Sequence, residues 1–168
     1  MSFVANSAGD LSQAAIRARV TANLAESAAA RNASKFEQLG RYETAYNFYI
    51  DAGYSADRAL GHLDGIDFAK PVTLADLTPG SNYLQYPLNG KMGNYFTTMG
   101  TPAEMIGINP AGRVPTLYTP TTPVKALQST AADILDTWTV PSQPYMTKGG
   151  GLQYFVPNKG VFVQVPTP

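Results

Sequence analysis

The chain has 168 residues, of which 44% are hydrophobic and 14% charged, and its formal net charge is zero. This composition suits a single domain with a buried core and at most a helical appendage, and it excludes a disordered polar tract. A neutral chain offers no basic surplus to phosphate backbones or anionic membranes, so no nucleic-acid partner is expected, and the absence of cysteine excludes disulfides, thiolate nucleophiles and zinc–cysteine sites.

The first residues, Met1-Ser2-Phe3-Val4-Ala5-Asn6, lack the basic start and apolar core of a signal peptide. No run approaches the ~20 apolar residues of a membrane helix, so no stable membrane insertion is expected. All 13 prolines lie from Pro71 onward, so the stretch before it reads as helical. Asp10 is placed to cap a helix carrying Leu11, Ala14, Ala15, Ala18, Val20 and Leu24 and running to about Ala30. A second helix is expected near Ser34 with Phe36 and Leu39. A third, Tyr42 to Ala52, sets Ala45, Tyr46, Tyr49 and Ile50 on one face. Ser55 then caps a fourth with Ala59, Leu60 and Leu63, ending before Gly65.

From Pro71 the pattern is strands and turns. Short strands are expected at 72–74, 83–86, 95–97, 116–118, 124–127, 152–156 and 161–163, about ten residues apart, with Pro79-Gly80 turning the first pair. The expected fold is α+β, helices first and then a compact, mostly antiparallel sheet. Residues 1–33 read as a helical linker or entry segment, 34–70 as a helical part and 71–168 as a β-rich catalytic part.

The conventional catalytic inventory is thin. His62 is the single histidine and reads as a capping or core partner on a helix. No cluster of ligating residues supports a metal site, no nucleophile elbow surrounds Ser129, and no phosphate loop or dinucleotide fingerprint occurs. Three constellations remain. In Gly149-Gly150-Gly151-Leu152-Gln153-Tyr154, glycines entering a strand permit close approach, and Gln153 brings an amide that orients a hydroxyl or water without titrating. The same residues also read as a flexible hairpin loop. In Ser129-Thr130-Ala131-Ala132-Asp133-Ile134-Leu135-Asp136-Thr137-Trp138, hydroxyls follow an apolar strand, Asp136 and Thr137 can fix a turn, and Trp138 can stack on a ring. The alternative is an ordinary helix cap with Trp138 in the core. The third comprises Thr78-Pro79-Gly80, Tyr83 to Tyr86, Gly93-Asn94-Tyr95-Phe96 and Gly100-Thr101-Pro102. It makes either an aromatic cleft for a base or a hairpin of cross-strand aromatic pairs.

Ser129-Thr130 with Asp136 and Thr137, together with Gly65-Ile66-Asp67-Phe68 and Lys70-Pro71-Val72, resembles the bacterial toxin 46 family, found at the C-termini of polymorphic toxins. Gln128 stands where that signature has a basic residue, and Asp133 where it commonly has proline. More loosely, Thr78-Pro79-Gly80, Gly93 with Tyr95, Gly100-Thr101-Pro102 and the glycine-flanked Gln153 resemble the tuberculosis necrotizing toxin family. That resemblance implies an ADP-ribosyltransferase-like split β-sheet that takes NAD as substrate, without a metal, and cleaves it at the nicotinamide–ribose bond. Gln153 and Ser129 would be catalytic, and Tyr95, Arg113, Trp138, Gln85 and Gly151 would hold the dinucleotide. Gln85 and Met105-Ile106 occupy places where that family has arginines, which leaves the pyrophosphate to Arg113, Lys125, Lys148 or backbone amides. A mono-ADP-ribosyltransferase acting on a macromolecular target, and a non-enzymatic binding or delivery module, are the alternatives. The resemblance further implies delivery from a larger bacterial toxin into a target-cell cytoplasm, and a cognate immunity protein.

Overall fold

The computed structural model describes residues 17–18 and 33–166. The chain divides between Gly40 and Arg41 into two units, Met1–Gly40 and Arg41–Pro168. Arg17 and Ala18 are helical; the rest of the helix expected from Asp10 to Ala30 lies outside the described residues.

Helix α1 covers residues 33–51, in place of the separate helices expected near Ser34 and from Tyr42 to Ala52. A lone helical glycine costs only about 1 kcal/mol, and no proline interrupts the run. Within 41–51, Ala45 and Tyr49 are buried at i, i+4 spacing while Tyr42 and Ile50 stay exposed. Helix α2, Ala56–Leu63, begins where the Ser55 hydroxyl accepts from the Arg58 amide, and it buries Ala59 and Leu63.

The remainder is sheet. Strands β1 (Thr73–Leu77), β2 (Tyr83–Gln85), β3 (Tyr95–Thr97), β4 (Thr116–Pro120), β5 (Val124–Thr130), β8 (Leu152–Phe155) and β9 (Phe162–Gln164) form one sheet in the order β1-β5-β8-β3-β2-β4-β9. Every pairing is antiparallel, as the sequence led us to expect of this α+β chain. A second sheet pairs β6 (Leu135–Asp136) with β7 (Tyr145–Met146), two strands the sequence did not reveal. Ser129 and Thr130 close β5, so the helix-cap alternative for this segment is wrong. Backbone pairing with the central strand β8 overrides the local capping tendency of serine and threonine.

Alternation along β8 divides the core. Phe155 meets Leu127, Tyr49, Leu63 and Ile66 on the helix-covered face, whereas Tyr154 and Val156 meet Phe96, Tyr118 and Phe162 on the other. Burying Phe155 is worth about 1.5–3 kcal/mol, and its ring also lies 4.4 Å from that of Tyr49. The sheet is thinnest between β2 and β3, where Leu84 opposite Thr97 is the sole registered pair.

Candidate active site

Register builds the site. Ser129 pairs with Gln153, and Gln153 with Thr97, so three polar side chains lie in one row across β5, β8 and β3. The adjacent row on the same face is Leu127, Phe155 and Tyr95. Two residues along each strand, the face therefore changes from apolar to polar. All three polar residues are buried, at 2%, 5% and 0% exposure for Ser129, Gln153 and Thr97.

A buried amide needs partners, and those of Gln153 fix its orientation. Nε2 donates to the Gly65 carbonyl at 3.1 Å and to Ser129 Oγ at 3.1 Å. Because a carbonyl only accepts, the nitrogen must face Gly65. Both Nε2 hydrogens are then engaged. None of the side chain's bonds among the described residues uses Oε1, and Gln153 lines a cavity of about 960 Å³. Gln153 thus presents an acceptor. Gly65 is held in turn by its amide on the His62 carbonyl and by the Ala132 amide on its own carbonyl.

The cavity is walled by Arg58, Gly61 and His62 of α2, by residues 86–89 and 91–94 of the β2–β3 loop, by Ile106-Gly107-Ile108, and by Ile134, Leu135 and Trp138. Its size sits near the top of the ~300–1,000 Å³ range of small-molecule sites. Asn89 and Gly90, both at positive φ, turn the loop back on itself so that Leu88 bridges Lys91.

The expected site residues fare unequally. Trp138 lines the cavity and is 48% exposed, so it is a rim residue, not core. The Asp136 carboxylate accepts from the Trp138 and Thr139 amides at 3.0 and 2.9 Å, from the Asn109 amide at 2.7 Å and from the Thr139 hydroxyl at 2.6 Å. Burial pushes this carboxyl up, but those bonds outweigh it and hold the group below the usual carboxylate value. Arg113 lines the cavity, with its guanidinium donating to the Tyr86 carbonyl at 2.7 Å and to Thr139 Oγ1 at 2.6 Å. It ties the rim together.

Gln85 also lines the cavity, yet both its Nε2 hydrogens go to the Gly93 and Tyr95 carbonyls, and its Oε1 accepts from the Gly93 amide. The side chain replaces missing backbone pairs at the thin β2–β3 junction, so it has no donor left for a ligand. Gly151 is glycine for packing. A Cβ there would lie 2.8 Å from the Met105 carbonyl oxygen, to which the Gly151 amide donates, and the residue is not among those lining the cavity. Gly149, at φ +68°, would bring a Cβ to 2.6 Å from the Ala132 and Asp133 backbone. Gly149 and Gly151 thus sit at a close-packed junction, while Gly150 between them has open space around it. Lys125 and Lys148 are absent from the cavity wall and are paired with Asp76 and Glu104 at 2.8 and 3.3 Å.

Tyr95 lies at the cavity wall, but its hydroxyl is engaged, 2.8 Å from Tyr49 Oη and 2.6 Å from His62 Nδ1. Burial first, then the neighbouring Tyr49, hold the Tyr95 phenol well above its ordinary value, so it stays neutral. His62 stacks on Tyr49 at 5.0 Å and 12°. Burial first, then the Arg58 charge, hold its imidazole below the ordinary value.

The model of the family described as bacterial toxin 46 matches residues 18–162. The chain belongs to the bacterial toxin 46 family. It is 36% identical over 140 residues to the NAD(P)(+) glycohydrolase toxin Tse6 of Pseudomonas aeruginosa, which covers 76% of this chain and 32% of Tse6. The chain therefore spans about a third of the length of that relative. In the solved structure of Tse6 in complex with Tsi6, the matching chain is 31% identical with a TM-score of 0.66, over 78% of this chain and 98% of that one. A looser likeness, 14% identical with a TM-score of 0.44, is to Rhs1-CT in complex with its cognate immunity protein RhsI1, over 62% of this chain and 82% of that one.

Two residues of this bacterial toxin 46 domain, Arg58 and Lys91, escaped the sequence reading and bring cations to the cavity; His62 is the hydrogen-bond partner expected on its helix, through Nδ1 to Tyr95, and also lines the cavity. The Asn89-Gly90 dipeptide, a strong hairpin signal, was the clue that Lys91 sits at a loop tip. Arg58 carried no local signal, because only the packing of α2 against the sheet brings it there.

Proposed function

We propose that this toxin domain is an NAD glycohydrolase that cleaves the nicotinamide–ribose bond of NAD or its phosphorylated form. The observation that carries the reading is the Gln153 amide, anchored by Gly65 and Ser129 so that its carbonyl oxygen is left for the cavity. The likeness to Tse6, named an NAD(P)(+) glycohydrolase toxin, supports it.

In the reaction, the C1′–N bond breaks with its electron pair going to the nicotinamide nitrogen, which becomes neutral. Water adds its oxygen to C1′ and releases a proton to solvent. An oxocarbenium-like transition state with a cationic leaving group requires positioning and charge stabilisation more than a strong nucleophile. Gln153 Oε1 accepts from a ribose hydroxyl or from the attacking water, Ser129 holds the amide, and Trp138 offers a ring face at the rim. Arg58 and Lys91 attract the pyrophosphate, while Arg113 clamps Tyr86 to Thr139 at the cavity wall.

A transferase acting on a macromolecule is the second reading. The single carboxylate lining the cavity among the described residues is Asp64, on the turn after α2, and Gln153 itself is an amide that cannot act as a base toward an acceptor. That favours hydrolysis. Purified protein incubated with NAD alone is expected to release nicotinamide and ADP-ribose over many turnovers. NAD loss only on addition of cell lysate, with ADP-ribose fixed to a protein, would establish the transferase instead. A toxin of this kind, delivered from a larger bacterial protein into a target-cell cytoplasm, requires a cognate immunity protein in the producing cell. Residues 1–33 would serve as its linker or entry segment.

A further inference from the structure

The histidine deepens the glycohydrolase reading, on which this inference rests. Tyr49 is buried at 1% exposure, and among the described residues its hydroxyl has Tyr95 Oη as partner, at 2.8 Å. Tyr95 Oη in turn lies 2.6 Å from His62 Nδ1. Three groups share these two bonds, and hydrogen counting decides the direction. If His62 Nδ1 carried the hydrogen, three hydrogens would share two bonds, and either Tyr49 or Tyr95 would keep a buried hydroxyl hydrogen without an acceptor. An unmatched buried donor is the costly outcome. In the opposite direction every hydrogen is placed: Tyr49 donates to Tyr95, Tyr95 donates to Nδ1, and the neutral imidazole carries its hydrogen on Nε2. His62 lines the cavity, and none of its bonds among the described residues involves Nε2.

Through Gly65, this donor is tied to the Gln153 acceptor. The Gly65 amide donates to the His62 carbonyl, and the Gly65 carbonyl accepts from Gln153 Nε2. We propose that His62 Nε2–H is a substrate-binding donor which, with Gln153 Oε1 as acceptor, grips a single ribose hydroxyl of the dinucleotide, and that Tyr95 and Tyr49 are positioning residues that fix its tautomer. A hydroxyl is the one substituent of the ribose ring that donates and accepts through the same atom, as this pair requires. Keeping His62 neutral also spares the oxocarbenium a like charge. Protonation would place a hydrogen on Nδ1, break the bond from Tyr95 and set a cation beside the cationic sugar. The groups facing His62 are Tyr49 from α1, Tyr54 from the α1–α2 turn, Arg58 and Asp64 from α2 and its cap, and Tyr95 from β3, with Lys91 and Arg113 on the cavity wall. Phe155, contributed by β8, carries no charge.

The chain contains one histidine, so its imidazole nitrogens can be read in the uniformly 15N-labelled full chain without assignment mutants. Long-range 1H–15N spectra are expected to show the Nε2–H tautomer, with a titration below the ordinary imidazole range. ADP-ribose should move the Nε2 resonance and nicotinamide should not. An Nδ1–H tautomer, or a response to nicotinamide alone, overturns the proposal. In kinetics with NAD, His62→Phe, which keeps a ring but has no donor, should lower kcat about 100-fold or more, as for loss of one preorganised donor, and remove the acid limb of the pH profile. Wild-type kcat with an unchanged acid limb would overturn it as well. If His62→Phe does not fold, Tyr95→Phe keeps the ring and is expected to mix the two tautomers; a tautomer unchanged in that variant refutes the positioning role. Wild-type protein that leaves NAD intact overturns the glycohydrolase reading, whereas the tautomer stands or falls on the spectrum.

Discussion

Replacing Gln153 by glutamate tests the orientation on which the site depends. The side chain keeps its shape, but an oxygen now meets the Gly65 carbonyl, where Nε2 donated at 3.1 Å. The Ser129 hydroxyl can rotate to donate to the new carboxyl; a carbonyl cannot. With a neutral carboxyl, one bond is lost at most, because the acid proton can replace one Nε2 hydrogen, and the cost is about 1 kcal/mol. With an ionised carboxyl, an acceptor faces an acceptor at a position only 5% exposed, and the cost rises to about 3 kcal/mol or more. The folded-state carboxyl is therefore raised above its unfolded value of about 4.3. The folded state then binds the extra proton, so the variant's stability is highest below about pH 4.3 and falls as pH rises toward the folded-state value, by about 1.4 kcal/mol per unit. Urea unfolding of Gln153→Glu and wild type at pH 5 and pH 8 measures this. The expected result is a deficit that widens by at least about 1 kcal/mol at pH 8. Equal stability of the two proteins at both pH values would show that the amide nitrogen does not face Gly65, and the assignment of Oε1 to the cavity would fail with it. NAD cleavage by the variant at pH 8 is expected to fall at least about 100-fold.

Asp136→Asn should destabilise the protein at pH 7 by about 2–3 kcal/mol, since one of the two acceptor oxygens becomes a donor facing donors. The wild-type carboxyl is held low when folded, so its stabilising effect is present above the unfolded value and lost as pH falls through the folded one. Thermal unfolding from pH 7 to pH 2 should accordingly show a flatter acid dependence in the variant. Gly149→Ala, with its 2.6 Å backbone contacts and φ of +68°, should cost more than about 3 kcal/mol, whereas Gly150→Ala, at φ +88° with open space around it, should cost only about 1 kcal/mol of strain. Denaturant midpoints of the two variants check the contrast. Arg58→Gln and Lys91→Gln should each raise the KM for NAD about 3- to 10-fold, the worth of a partly exposed ion contact, while Lys125→Gln and Lys148→Gln leave it unchanged. Initial-rate kinetics on the four variants separate cavity cations from those in surface pairs.

Local pattern accounts for much of this fold. The absence of proline before Pro71 marked the helical part, Ser55 marked the start of α2, and short β-rich runs located seven strands to within a few residues. The two-residue strands β6 and β7 carry too little alternation to be seen, and the second and third helices expected separately are one run over residues 33–51. Family pattern singled out Gln153 and Ser129, but not the hydrogen bond between them.

Ser129 and Gln153 are 24 residues apart, and Gln153 and Gly65 are 88 apart, so the amide's orientation depends on sheet register and on where the turn after α2 packs. The same distinction separates the glycines and cations. Sequence showed that Gly149-Gly150-Gly151 is unusual and that the cations are few; the approach of Met105 and Ala132 showed that packing demands two of those glycines. Pairing with Asp76 and Glu104 removed Lys125 and Lys148 from the site, and α2 supplied Arg58 and His62. Element type was written locally, because dihedral preference and hydrophobic alternation act over a few residues. The cavity was decided by tertiary structure, because hydrogen-bond direction, burial and charge at a site are sums over neighbours that the chain brings together only by folding.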